Sequence, residues 1–261
     1  MTRLDPALDE TLLSRIEDAS LNASAPPQQR WLDGWLIRFN PGKAKRARCI
    51  NAVAAGRLPL ADKLRLAREV FDQAGLPLVV RLTRFTQPPG LEQELAALAY
   101  TELDDTRVLV CHPLPPRAPR GLPPGTQWVQ LDAASYAQAV GLLRGSPPEQ
   151  RAAHAERLAM SPVPYFGYAI QRDADAQVLA CGQFAREADL VGLYDVFTRP
   201  EHRGHGLARL LCERLLALAM SQGAKTAYLQ VEADNAPARR VYAGLGFVEG
   251  YAYHYRQAPA A

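Results

Sequence analysis

Residues 193–211, LYDVFTRPEHRGHGLARLL, restrict the folds open to this 261-residue chain more than any other stretch. An apolar run of strand character stops at Arg199-Pro200. Arg203-Gly204-His205-Gly206 then opens a helix whose Leu207, Leu210, Leu211 and Leu215 fall on one face. The first amides of a helix have no partner inside it and lie at its positive end, so such a turn is a ready anion site. Gly204 and Gly206 carry no side chain, which lets the backbone close around a phosphate, and Arg203 adds charge at the rim. Two other phosphate loops are excluded. The pattern G-x-x-x-x-G-K-[ST] is absent, and a dinucleotide fingerprint needs glycine where Arg209 stands.

The periodicity on either side predicts a mixed α/β chain in two parts. In the first, 6–19, 60–74 and 91–98 read as helices and 31–39, 78–82 and 106–110 as strands. Residues 111–125, CHPLPPRAPRGLPPG, are dense in proline and cannot continue a helix. They set the expected boundaries: an N-terminal α/β domain over 1–112, a linker over 113–125 and a second domain over 126–261. In that second domain, strands are expected at 128–131, 165–171, 177–184, 190–198, 226–231 and 247–255, and helices at 135–143, 149–160, 206–221 and 236–245. Both parts share one order of elements: strand, loop, long helix stopped by glycine, strand, short helix, strand. That order suggests a duplicated fold.

Composition excludes several roles. With 48% hydrophobic and 22% charged residues the chain reads as globular, and no run approaches the ~18 apolar residues of a membrane span. The start, MTRLDPALDE, lacks the basic and apolar segments of a signal peptide, so the expected location is the cytoplasm, with no membrane partner. A formal charge of +3 is too small to point to nucleic acid. Cys49, Cys111, Cys181 and Cys212 form no CxxC pair and are expected as buried thiols. His202 and His205 have no third ligand in view, so no metal is expected.

A second motif gives the loop its meaning. Residues 228–247, YLQVEADNAPARRVYAGLGF, read as a strand, Asn235 as N-cap, Pro237 in the first helical turn, then Tyr242 and a Gly244-Leu245-Gly246 stop. Together with the loop, this resembles the GNAT acetyltransferase superfamily. Arg203, Gly204, Gly206 and Ala208 match its R-x-x-G-x-G/A loop, and Asn235, Ala238, Tyr242, Gly246 and Phe247 match N-x-x-A-x-x-x-Y-x-x-x-G-F. The resemblance covers about residues 125–256 and implies a mostly antiparallel sheet flanked by helices. It implies acetyl-CoA as cosubstrate, with its pantetheine along Val196, Phe197 and Thr198 and its pyrophosphate on Arg203 to Ala208, His205 and Leu207 included. Asn235 joins this binding set. It also implies direct attack by a primary amine of a small molecule, peptide or protein, with Tyr242 giving a proton to the departing thiolate. The protein is expected to be a monomer or homodimer.

The base is open between Asp195, on the strand before the loop, and Glu232, at the end of the strand after the helix. Tyr251, Tyr253, His254 and Tyr255 crowd the last strand, where they pack on a sheet face or line an acceptor pocket. The N-terminal part departs from the motif. Before its long helix stands NAVAAGRLPLADK, with one glycine and no Asn-to-Tyr segment after it, so a single CoA site is expected. Its run Lys43, Lys45, Arg46 and Arg48 is either a solvated loop or a contact for an acidic ligand. The competing function is an acyl-CoA sensor in which the site survives without turnover.

Overall fold

The computed structural model describes residues 8–42 and 44–259. In chain order the elements are α1 (Glu10–Ala23), β1 (Gln29–Leu32), β2 (Trp35–Arg38), β3 (Ile50–Ala52), α2 (Leu60–Gln73), β4 (Val79–Thr83), α3 (Leu91–Ala97) and β5 (Thr101–Cys111). Then follow β6 (Thr126–Leu131), α4 (Ala133–Leu143), α5 (Pro148–Ala159), β7 (Tyr165–Arg172), β8 (Val178–Glu187), β9 (Leu190–Thr198), α6 (Leu207–Ser221), β10 (Thr226–Glu232), α7 (Ala236–Ala243) and β11 (Val248–Gln257). The class is mixed α/β, as the periodicity predicts. The strand predicted over 31–39 is instead the hairpin β1–β2. Asp33 (φ +42) and Gly34 (φ +84) turn it, and both positive angles suit the Asp-Gly pair.

The chain forms two compact units whose bounds differ from a cut at the proline-rich segment. Residues 108–250 make one unit, and α1 belongs to it. Residues 24–107 make the other, with the chain from Tyr251 onward. Helix α1 is drawn to the first unit by its apolar face, where Leu13 and Ile16 are fully buried, and by hydrogen bonds from Gln230 to Ser20 and from Tyr165 to the Ala23 carbonyl (2.7 Å). Of the first helix expected at residue 6, Pro6 lies outside the described residues, and Asp9 caps the observed start by accepting the Leu12 amide at 2.7 Å. The proline-rich segment is tied to the same unit: Leu114 donates to the Lys225 carbonyl (2.8 Å), and Arg120 pairs with Glu213 (2.9 Å).

In the first unit β6, β7, β8 and β9 form an antiparallel meander, and β9 then pairs with β10 in parallel across α6. Side chains alternate between the two faces. Tyr168 and Ile170 join the cluster built on Leu211 and Leu215 of α6, while Ala169 between them joins that of Tyr136 and Val140 of α4. Packing is close on both sides. A Cβ at Gly182 would stand 2.9 Å from Leu211, and one at Gly167 2.6 Å from the Tyr136 ring. Truncating Leu211 to Ala in so tight a core costs ~2–5 kcal/mol.

The second unit is a smaller α/β body. Strands β1, β2 and β3 are antiparallel, β3 and β4 are parallel across α2, and residues 253–257 of β11 run antiparallel to β4. Its core holds Trp35, Ile37, Ile50, Phe71 and Val80. Tyr251, Tyr253 and Tyr255 are buried, and His254 pairs with Glu92 (2.8 Å), which also binds Arg256. All four cysteines are free and buried. Among the described residues no helix is long and apolar enough to cross a membrane.

Candidate functional site

Strands β9 and β10 start as partners and then part. Residues 190–193 pair with 226–229, and no pair follows, although β9 runs on to Thr198 and β10 to Glu232. A wedge opens between the two strand ends. Strand edges left without a ladder partner on that side present peptide groups to whatever enters.

At the same point β9 bulges. Tyr194 faces Gln183 and Phe197 faces Cys181, which leaves Asp195 and Val196 together opposite Gly182. Asp195 takes φ +50, a left-handed angle uncommon for a residue with a side chain. The surroundings hold it there. Tyr136 donates to its carbonyl (2.9 Å), and its carboxylate accepts from Arg144 (3.0 Å) and Gln183 (2.8 Å), with His154 Nε2 at 3.3 Å. Burial alone would raise the Asp195 pKa. The His154 contact and the Arg144 charge outweigh it and hold the carboxyl far below the usual range.

Beyond the bulge the strand leads to the loop. A single helical turn, Pro200–His202, ends at Arg203, whose Nε lies 3.3 Å from the Thr198 carbonyl and whose guanidinium sits 5.3 Å over the Phe197 ring. Gly204 and Gly206 have φ of +80 and +79, and a Cβ at either would meet nothing within 4 Å. The glycines thus answer a backbone requirement and leave open space above the turn. Helix α6 starts at Gly206 with no side chain capping its first amides. Leu207 is buried and anchors that start, Ala208 is half-buried, and Arg203 and His205 are exposed.

Helix α7 carries the other motif. Asn235 is its N-cap, accepting the Ala238 amide at 3.2 Å, so its side chain is engaged in the helix start. Tyr242 is half-buried, edge-on to Phe247 at 6.0 Å, and packs against the cluster under α6. Burial raises its pKa strongly, with a smaller push from Cys212, so the phenol keeps its proton at neutral pH. Its hydroxyl makes no hydrogen bond to any described residue. Glu232 is exposed at the end of β10, opposite the Asp195 side of the wedge. A cavity of about 350 Å³ lies along α7, lined by Leu109, Arg239, Arg240 and Phe247.

Residues 195–198 and the end of β10 thus lie beyond the last β9–β10 pair, the loop from Arg203 follows β9 directly, and His202 and His205 stay on that loop. The structure adds four residues that no motif indicated: Tyr136 and Arg144 from α4 and its end, His154 from α5 and Gln183 from β8. They come from separate elements with no common spacing, and only the fold brings them to Asp195. Of the basic run, Lys43 lies outside the described residues and Lys45 pairs with Asp104 at 2.6 Å.

Comparison with known proteins agrees with this fold. Residues 13–256 match the family described as "Probable histone acetyltransferase Rv0428c C-terminal". The chain is 26% identical over 231 residues to the "Uncharacterized N-acetyltransferase YobR" of Bacillus subtilis, covering 87% of this chain and 91% of that one. Among solved structures it is similar to a GCN5-related N-acetyltransferase from Kribbella flavida (TM-score 0.61, 19% identity, 95% and 96% of the two chains). It is also similar to a tandem GNAT protein from the clavulanic acid biosynthesis pathway (TM-score 0.62, 17% identity, 77% and 70%). With the family matched over nearly its whole length, the chain belongs to this acetyltransferase family, within the GNAT superfamily.

Proposed function

We propose that the protein moves an acetyl group from acetyl-CoA to a primary amine by direct attack. The observation that carries this reading is the parting of β9 and β10 after residues 193 and 229, next to an uncapped helix start with open glycines. The wedge suits a narrow pantetheine arm lying along Val196, Phe197 and Thr198. The turn from Arg203 through Gly204, His205, Gly206, Leu207 and Ala208 suits a pyrophosphate, and Asn235 contributes by fixing the start of α7.

The chemistry follows from charge. Attack by a neutral amine forms a C–N bond, breaks the C–S bond and leaves a thiolate, which is a better leaving group once protonated. Tyr242 holds a proton at neutral pH and has a hydroxyl with no partner among the described residues, as the donor role requires. Asp195 keeps its negative charge through the neutral range and so orients its neighbours. Glu232 is the exposed carboxylate on the other wall. The family description makes a lysine-bearing peptide the first acceptor to try. Free amino acids and polyamines complete the panel.

The test is to titrate acetyl-CoA calorimetrically and to follow thiol release with each amine. One CoA per chain and acetylated product are expected. Two equivalent sites, or no binding, would defeat the site, and binding with no transfer to any amine would defeat the activity.

A further inference from the structure

Helix α5 is mostly exposed, and Leu158 is its one buried residue, yet it turns His154 inward to the bulge of β9. His154 Nε2 lies 3.3 Å from the Asp195 carboxylate, and its ring stands edge-on to Tyr136 at 6.5 Å. Tyr136 in turn grips the Asp195 carbonyl. Asp195 is therefore fixed at both ends, by one phenol on its backbone and by Arg144 and Gln183 on its side chain. Its site is two residues past the last β9–β10 pair, at the mouth of the wedge.

Arg144 on α4 and Arg157 on α5 are cationic and act on Asp195, which is anionic. Tyr136 and Cys181 are neutral, because burial pushes both up, the thiol to about 12. Nε2 of His154 is buried and meets Asp195 as a charge contact without hydrogen-bond geometry, while Nδ1 makes no hydrogen bond to a described residue and is not among the buried unpartnered atoms. An imidazole with one nitrogen 3.3 Å from a fixed carboxylate can take a proton on the other while the nearby negative charge steadies the resulting cation.

We infer that His154, oriented by Asp195, is the proton acceptor of the transfer reaction. The inference rests on the acetyl transfer proposed above. As the amine nitrogen bonds to the acetyl carbon and the C–S bond breaks, the amine proton passes to Nδ1 of His154, directly or through one water. The thiolate takes the phenolic proton of Tyr242. Exchange with solvent then restores both residues, so the step needs no further reactant.

The test uses acetyl-CoA with the amine of the panel that reacts fastest. In His154→Gln the new side chain keeps a donor toward Asp195 and similar bulk but cannot accept a proton. It should lower kcat about 100-fold and flatten the rise of rate with pH. The KM for acetyl-CoA and the melting temperature should stay near those of the unchanged protein. Asp195→Asn should shift that rise and lower kcat less. Retention of kcat by His154→Gln within about threefold, or a loss with an unaltered pH profile and a lower melting temperature, would overturn the assignment. Failure of the unchanged protein to acetylate any amine would overturn the broader reading instead, so the two failures are distinct.

Discussion

Two turns in this protein stand at the same place in the same local topology, a strand, a loop and a helix leading to a parallel strand. One is the loop between β9 and α6, the other the loop between β3 and α2. In the first, the glycines face open space and the helix start is uncapped. In the second, the carboxylate of Asp33, from the β1–β2 turn, accepts the amides of Arg57 (2.9 and 2.8 Å) and Leu58 (2.8 Å). Buried Lys63 stands 3.5 Å from the same carboxylate, over the Trp35 ring, and donates to the Ala55 carbonyl at 2.7 Å. Gly56 is needed there because a Cβ would come within 2.1 Å of the Asp33 carbonyl oxygen. Both crossovers supply unpaired amides. The first leaves its amides uncovered, as the proposed anion site requires, while the other satisfies them with its own carboxylate.

The sharpest way to break this comparison is to put a carboxylate into the open turn. Gly206→Glu places a side chain on a left-handed residue and a negative charge where the pyrophosphate is proposed to bind. Affinity for CoA should fall at least about a thousandfold, or roughly 4 kcal/mol. The control in the closed turn is Leu58→Glu, at an exposed side chain, which should leave CoA affinity unchanged. Calorimetry on the two variants decides it, and equal effects would remove the distinction between the turns.

A smaller effect is expected at Tyr242. Replacing it with Phe keeps the edge contact with Phe247 and deletes the hydroxyl, so kcat should drop about 100-fold with CoA affinity intact. Unchanged turnover would return Tyr242 to a packing role. Smaller still is Glu232→Gln. An exposed strand-end carboxylate that takes no proton should alter kcat by less than about threefold, and a larger loss would move the base from α5 to β10.

The sequence made the open turn legible because its chemistry is local. Arg203, Gly204 and Gly206 lie within four positions, and the Asn235 to Phe247 spacing marks the next helix. The closed turn was not legible, since its key group, Asp33, is 24 residues from Arg57 and nothing in the spacing joins them. The Asp-Gly pair at 33–34 did signal a hairpin, and reading 31–39 as one strand overlooked it. The unit boundaries were hidden for a related reason. Proline density marks where helices cannot run, whereas membership of α1 depends on where Leu13 and Ile16 are buried. A fragment starting near residue 125 would therefore lack a helix of its own core.

The smallest expected effect concerns the closed turn and acid. The amides of Leu58 and Arg57 hold the Asp33 carboxyl below its usual range. A carboxylate whose pKa is lower folded than unfolded contributes stability above the unfolded value of about 3.9, and that contribution is lost as pH falls through the folded value. Asp33→Asn should thus lower the melting temperature most near neutral pH, and the gap should close in the acid range where Asp33 itself is protonated. A gap of equal size at pH 7 and in acid would mean that the shape of the side chain, and not its charge, holds the loop. Asp33→Ser, which shortens the plug, sharpens the comparison further. If uncovered amides alone made an anion site, this variant would bind a second CoA per chain. Counted from the helix N-caps, the closed turn has Arg57 and Pro59 where the open one has Gly204 and Gly206, so the expected count in a calorimetric titration stays at one.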